Sequence, residues 1–217
     1  MDGETEKRTP GRKRDESTRC AILRAAFDMI AESGYRALTM EGVASRSGAG
    51  KTTVYRWWPT KAALASDAFV AGLTESSALP ADASALECLR FAMHQCAVDL
   101  SGQTGKVLAC IVGGGRDDPQ TMQMFKEKIA QPRKELGRAL LRRAVEAGEL
   151  RADLDIDAAL EALFMPIYLR VILGQAPVEP DWVDRLADTV LRGLLAEGSA
   201  SRSAEDRAGA SLVSSAL

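Results

Sequence analysis

Apolar residues recur at three- and four-residue spacing along most of the chain, the signature of amphipathic helices. In 17–33 the stripe is Ile22, Leu23, Ala26, Phe27 and Ile30, and Gly34 stops it. Two short segments follow. Thr39 suits the N-cap of a helix whose apolar face is Val43 and Ala44, Gly48 supplies a turn, and 50–58 form a second helix with Val54 and Trp58 on one face until Pro59 blocks it. A small residue at 44, a glycine at 48 and an apolar anchor at 54 are the offsets a helix-turn-helix needs. The first helix is expected to pack on this pair through Phe27 and Ile30, with Leu38 and Val43 closing a three-helix core.

Downstream, Thr60 is placed to cap a helix running to about residue 77, with Leu64, Ala68 and Leu73 inward. After a break at 79–82, residues 84–101 carry a stripe of Leu86, Leu89, Met93, Cys96, Ala97 and Leu100 and a second patch of Phe91, His94 and Val98. That patch fits either a ligand wall or the middle of a bundle. A helix over 103–112 ends in Gly113, Gly114 and Gly115, read as a flexible connection. Asp118-Pro119 then reads as an N-cap followed by proline at the first helical position. The pattern is interrupted at Pro132 and ends at Gly148. Met122, Met124 and Phe125 near its start fit plain core or an adaptable ligand wall.

Residues 155–174 are apolar nearly all round, with Leu160, Leu163, Phe164, Met165, Ile167, Tyr168 and Val171, and 182–196 repeat Val183, Leu186, Ala187, Val190, Leu191 and Leu194. So much apolar surface on two helices predicts a pairing of two copies through Leu160, Ile167, Val171, Val183, Leu186, Val190 and Leu194. The Ser/Ala-rich stretch 198–217 is expected to be disordered.

Composition sharpens one end of this picture. The chain has 217 residues, 46% hydrophobic and 27% charged, enough for a real core, and a net charge of -2. The average hides an asymmetry: residues 1–61 hold 12 Lys and Arg against 8 Asp and Glu, or +4, which leaves -6 for the rest. A basic head on an acidic body fits a protein that meets phosphate with one end. The arm 1–14, ending in Arg12-Lys13-Arg14, is either a solvated tail or a phosphate-tracking extension. The longest apolar run is broken by Pro166 and Arg170 and is too short for a bilayer, and the polar N-terminus is not a secretory signal. Cys20, Cys88, Cys96 and Cys110 form no CxxC pair, so reduced thiols in a cytoplasmic protein and no metal site are expected.

Two rival chemistries are weak. The Gly50-Lys51-Thr52 run has the end of a phosphate-binding loop, but Ser45 stands where a glycine is required, a polar helix stands where a strand is required, and Pro59 cuts the following helix short. The sole histidine, His94, has no predictable nucleophile or metal-ligand partners, so no enzyme and no cofactor is expected.

The order of basic arm, one helix, TMEGVASRSGAGKTTVYRWWPTKAAL and a helical remainder resembles the TetR family of transcriptional repressors. The motif positions are Thr39, Val43-Ala44, Ala49 to Tyr55, Trp57-Trp58-Pro59 and Thr60-Lys61, with departures at Gly50, Thr52 and the double tryptophan. The resemblance implies an all-α fold: a basic arm (1–14), a three-helix helix-turn-helix DNA-binding domain (15–61), a helical-bundle ligand-binding and dimerisation domain (62–197) and a tail (198–217). It also implies a homodimer on a palindromic double-stranded DNA operator, released by a small-molecule effector. Thr39, Lys51, Thr53, Tyr55 and Lys61 would hold phosphates, and Thr52, Arg56 and Trp57 would meet base edges. Phe91, His94, Met122, Phe125, Phe164, Met165 and Tyr168 are the candidate effector wall.

Overall fold

The computed structural model describes residues 11–73, 79 and 82–196. The rest of the basic arm (1–10), the expected helix end near 77 and the tail 198–217 lie outside the described residues. The fold is all-α, as the periodicity predicts. Beyond helices and turns, the described residues hold one single-residue antiparallel bridge, between Leu150 and Leu195. The chain divides into two compact units, Met1–Leu73 with Lys106–Ile129, and Thr74–Gly105 with Ala130–Leu217.

The first unit begins with α1 (Gly11–Ser33), so Arg12, Lys13 and Arg14, expected in a mobile arm, form its opening turn instead. Ile22, Leu23, Ala26 and Ile30 are buried. Gly34, at a φ of 84°, ends the helix, and a short 3-10 turn (Tyr35–Ala37) leads to α2 (Met40–Ser47) and α3 (Lys51–Trp57). Then comes α4 (Lys61–Ala71), capped by the Thr60 hydroxyl, which accepts the Ala63 N–H at 3.2 Å. Phe27 lies against the end of α4: a Cβ at Gly72 would come within 2.3 Å of its ring.

The head was expected to stop at residue 61, yet α4 and 106–129 belong to the same unit. The reason is α4 itself. Ala62, Ala63, Leu64, Ala65, Ser66, Ala68 and Phe69 are all buried, and α4 packs on both α1 and α7 (Pro119–Phe125). Pro59 ends a helix without ending a domain.

The glycines at 113–115 are not a flexible connection but the last turn of α6 (Gly102–Gly115). Their value is closeness. A Cβ at Gly114 would lie 3.1 Å from the Tyr35 Cβ, and one at Gly115 would lie 2.5 Å from the Thr121 Cγ2. Asp118 caps α7 as expected, accepting from the Gln120 and Thr121 amides at 3.1 and 3.4 Å and from the Thr121 hydroxyl at 2.7 Å. The Tyr35 hydroxyl joins the same cluster, sharing a hydrogen bond with Thr121 and lying 3.4 Å from the Asp118 carboxylate. A π-helical turn (Lys126–Ala130) closes the unit, where Pro132 had marked only an interruption.

In the second unit α5 (Ala85–Asp99) packs with α8 (Gln131–Glu146), α9 (Ile156–Ile172) and α10 (Pro180–Arg192). A capping box between Ser84 and Glu87 opens α5, and Glu149 accepts from the Ala85 and Leu86 amides at 3.3 and 2.9 Å, favourable charge at a helix start. Arg90 to Asp188 at 2.5 Å and His94 to Asp184 at 2.8 Å tie α5 to α10. Inside, Arg133 donates to Asp99 at 2.8 Å and to the Tyr168 hydroxyl at 3.4 Å, and burial pushes the neighbouring Cys96 thiol up to about 11, so it stays an unreactive apolar group. The Arg170 guanidinium lies 4.4 Å over the Trp182 ring.

Candidate nucleic-acid interface

The helix pair is built as the sequence requires. The Thr39 hydroxyl accepts the Gly42 N–H at 3.0 Å to cap α2, and Gly48 sits at a φ of 71°, where a Cβ is strained. Ala44 is 4% exposed, Val54 0% and Trp58 2%, so the crossing residue and both anchors are seated. Pro59 follows directly.

On the opposite face of α3, Lys51, Thr52, Tyr55 and Arg56 are exposed, while Thr53 and Trp57 are half-buried at its margins. Their donors suit phosphate oxygens and base edges. The Tyr55 hydroxyl donates to Glu41 at 3.2 Å; desolvation, then that carboxylate, raises its pKa, so it remains a donor at neutral pH. The Arg56 guanidinium lies 5.8 Å over the Trp57 ring, which stands edge-on to Trp58 at 5.5 Å. Trp58 in turn donates its indole N–H to Asp67 at 2.8 Å.

Two expected phosphate holders are also engaged within the head. Lys61 donates to the Tyr35 carbonyl at 3.3 Å with its ammonium 4.4 Å over that ring, and the Thr39 hydroxyl, though exposed, is already the α2 cap. Arg46, on α2, is bound at both nitrogens by Glu32 at 2.5 and 2.6 Å, a hydrogen bond that lowers the pKa of Glu32. It braces α1 to α2. The backbone of Arg12, Lys13 and Arg14 is helical.

The residues of the expected effector wall are divided between the two units. Met122 and Phe125 belong to the unit that holds the helix pair; Phe91, His94, Phe164, Met165 and Tyr168 belong to the other. His94 is spent on Asp184. Met165 is 48% exposed and faces away from the interior. Phe91, Phe164 and Tyr168 are half-buried.

The expected pairing residues also need correction. Leu160, Ile167 and Val183 are at most 5% exposed and form the core of their own unit, because α9 and α10 pack on each other within one chain. Val171, Leu186, Val190 and Leu194 are only half-buried. The apolar side chains that α9 leaves outside are Met165, Leu169 and its C-cap Leu173, 48 to 58% exposed.

Residues 22–68 match the family described as "Bacterial regulatory proteins, tetR family", and residues 80–190 match "Tetracyclin repressor-like, C-terminal domain". The HTH-type transcriptional regulator YdeS of Bacillus subtilis is 31% identical over 186 residues, 86% of this chain and 94% of its own. The chain belongs to the TetR family of transcriptional regulators. Also similar is the DNA-binding transcriptional repressor TetR of Mycobacteroides abscessus, 26% identical over 187 residues, 86% of this chain and 98% of that one. Among solved structures, the TetR family transcription regulator SCO0332 is 29% identical with a TM-score of 0.57, covering 82% of this chain and 98% of that one.

A TetR-family regulator binds DNA and regulates transcription, and is not an enzyme. Among the described residues no helix is long and apolar enough to cross a membrane, and no group of three or more His, Cys, Asp or Glu is placed to hold a metal. In this TetR-family head the sequence reading missed Asp67 and its partner Lys128, 2.5 Å apart. No spacing rule connects the residues of that pair, since only the packed fold brings them together.

Proposed function

We propose that this regulator is a homodimeric repressor of a palindromic operator, released by a small apolar effector and acting in the cytoplasm beside the DNA it controls. The observation that carries the reading is the outward face of α3: Lys51, Thr52, Tyr55 and Arg56 exposed on a helix whose other side is locked by Val54 and Trp58. A rigid helix with that face suits the major groove, and two of them would meet half-sites about one helical turn, roughly 34–36 Å, apart. Lys51, Thr53 and Tyr55 serve phosphates, with Thr39 and Lys61 adding to their structural roles. Thr52 and Arg56 meet bases, Arg56 by a bidentate pair with guanine.

The apolar strip of Met165, Leu169 and Leu173 supports pairing through α9, and Phe91, Phe164 and Tyr168 are the aromatic groups available to an effector. The repressor named among the relatives supports the direction of control. For release, the effector has to bind the DNA-free form much more tightly, about 10⁴-fold for a near-complete switch.

DNA selected from a random pool by the purified protein tests the reading. Arg56→Ala should relax preference at one half-site position, and Lys51→Ala should weaken all sequences evenly and flatten the salt dependence. Unchanged binding in both variants would overturn it.

A further inference from the structure

Tyr55 has a single hydroxyl proton, and the DNA-free protein already uses it: the hydroxyl donates to Glu41 Oε1 at 3.2 Å, with both side chains exposed. A phosphate oxygen asks for the same proton. We propose that Glu41, on α2, sets the affinity of the head for DNA by competing with phosphate for the Tyr55 hydroxyl. The inference rests on Tyr55 being a phosphate holder.

Glu41 stands apart from its surroundings. From Ser33 to Ser66 the chain has five basic residues, Arg36, Arg46, Lys51, Arg56 and Lys61, and Glu41 is the one carboxylate. It lies in the first turn of α2, and the first helix of such a pair is the one that crosses the DNA backbone. Tyr55 is on α3 and 45% exposed, so the bond joins the two helices where water can reach it. Such a bond exchanges readily. When DNA arrives, the O–H turns from a carboxylate oxygen to a phosphate oxygen and Glu41 returns to water. What the phosphate contact contributes is reduced by the bond it replaces. Without Glu41 the hydroxyl donates only to water beforehand, and the contact counts in full. Phosphate contacts carry no base information, so operator and random duplex should respond alike.

A carboxylate in the first turn also favours the helix start, but a residue with that role alone would lower stability when removed and leave DNA affinity as it was. The test is therefore the affinity of the full-length protein for a selected operator duplex and for a random duplex at one salt concentration. The variants are Glu41→Ala, Tyr55→Phe, the two together, Glu41→Gln and Lys51→Ala. Glu41→Ala should tighten binding to both duplexes about fivefold. Tyr55→Phe should weaken it only about twofold in the parent but about tenfold beside Glu41→Ala, because the two residues share one bond. Glu41→Gln, which keeps an acceptor without its charge, should tighten binding by less than Glu41→Ala, and it decides the matter if Glu41→Ala does not fold. Parental affinity in both Glu41 variants, or an equal gain from Glu41→Ala with and without the Tyr55 hydroxyl, would overturn the competition; weakened binding in Lys51→Ala beside it leaves the reading of α3 in place. Parental binding in both Lys51→Ala and Tyr55→Phe would overturn that reading, and the competition with it.

Discussion

Gly115 lies so close to Thr121 that a Cβ on the glycine would stand 2.5 Å from the threonine Cγ2. Thr121 is fully buried and bonded to Tyr35 and Asp118, so it cannot move aside. Gly115→Ala is therefore expected to cost about 1–3 kcal/mol. Gly113, in the same turn, has nothing within 4 Å of the corresponding point, so Gly113→Ala should stabilise by about 0.4–1 kcal/mol. Chemical denaturation of the two variants, opposite in sign, checks the close-packing role of the triplet.

Asp118 has its pKa lowered below its ordinary value of 3.8, mainly by the Thr121 hydroxyl and further by the Thr121 and Gln120 amides. A carboxylate with a folded pKa below its unfolded one contributes stability that is complete above the unfolded value and is lost as pH falls through the folded one. The melting temperature should therefore fall on acidification below about pH 4, and less steeply in Asp118→Asn. At neutral pH, Asp118→Ala should cost about 1 kcal/mol through the lost cap. Thermal melts across acid pH measure both.

Asp99, with its side chain 3% exposed, pairs with Arg133 at 2.8 Å, with Gln95 adding a bond at 3.1 Å. Arg133→Met should destabilise by roughly 3 kcal/mol by removing the guanidinium that faces a buried carboxylate. Adding Asp99→Leu should recover a large part of that loss, because the pair and its apolar replacement differ little. Urea titrations of the single and double variants separate these outcomes.

Leu169 is half exposed on α9, in the strip proposed above for pairing two copies. Leu169→Glu is expected to yield monomers by sedimentation at micromolar concentration while the helical circular dichroism stays that of the parent. Ile167→Glu, placed in the core, should instead lose the helical signal. A dimer that survives Leu169→Glu moves the pairing surface away from this strip.

What was legible in the sequence is what local chemistry decides. Thr39, Gly48, Val54 and Pro59 place the helix pair because capping, a left-handed turn, an anchor and a missing N–H act within a few residues. Asp118-Pro119 and Gly148 worked for the same reason. Gly113 to Gly115 misled because a glycine required by a neighbour's closeness looks, in sequence, like one required by flexibility. Leu160, Ile167 and Val183 misled because two apolar helices of one chain can satisfy each other, and periodicity does not say which partner covers a stripe. Lys61 reads as a phosphate-binding group by charge alone, and only the fold gives it the Tyr35 carbonyl and ring.

The three tryptophans divide between the compact units: Trp57 and Trp58 beside the reading face, and Trp182 beneath Arg170. The protein thus carries its own optical reporters. With Trp182→Phe, all emission comes from the reading head, and nucleotides approaching Trp57 should quench it. With both head tryptophans replaced by phenylalanine, the remaining emission follows the helical body, where an effector would register. One chain, two silent backgrounds and a fluorimeter suffice to time DNA arrival and the proposed effector's arrival separately.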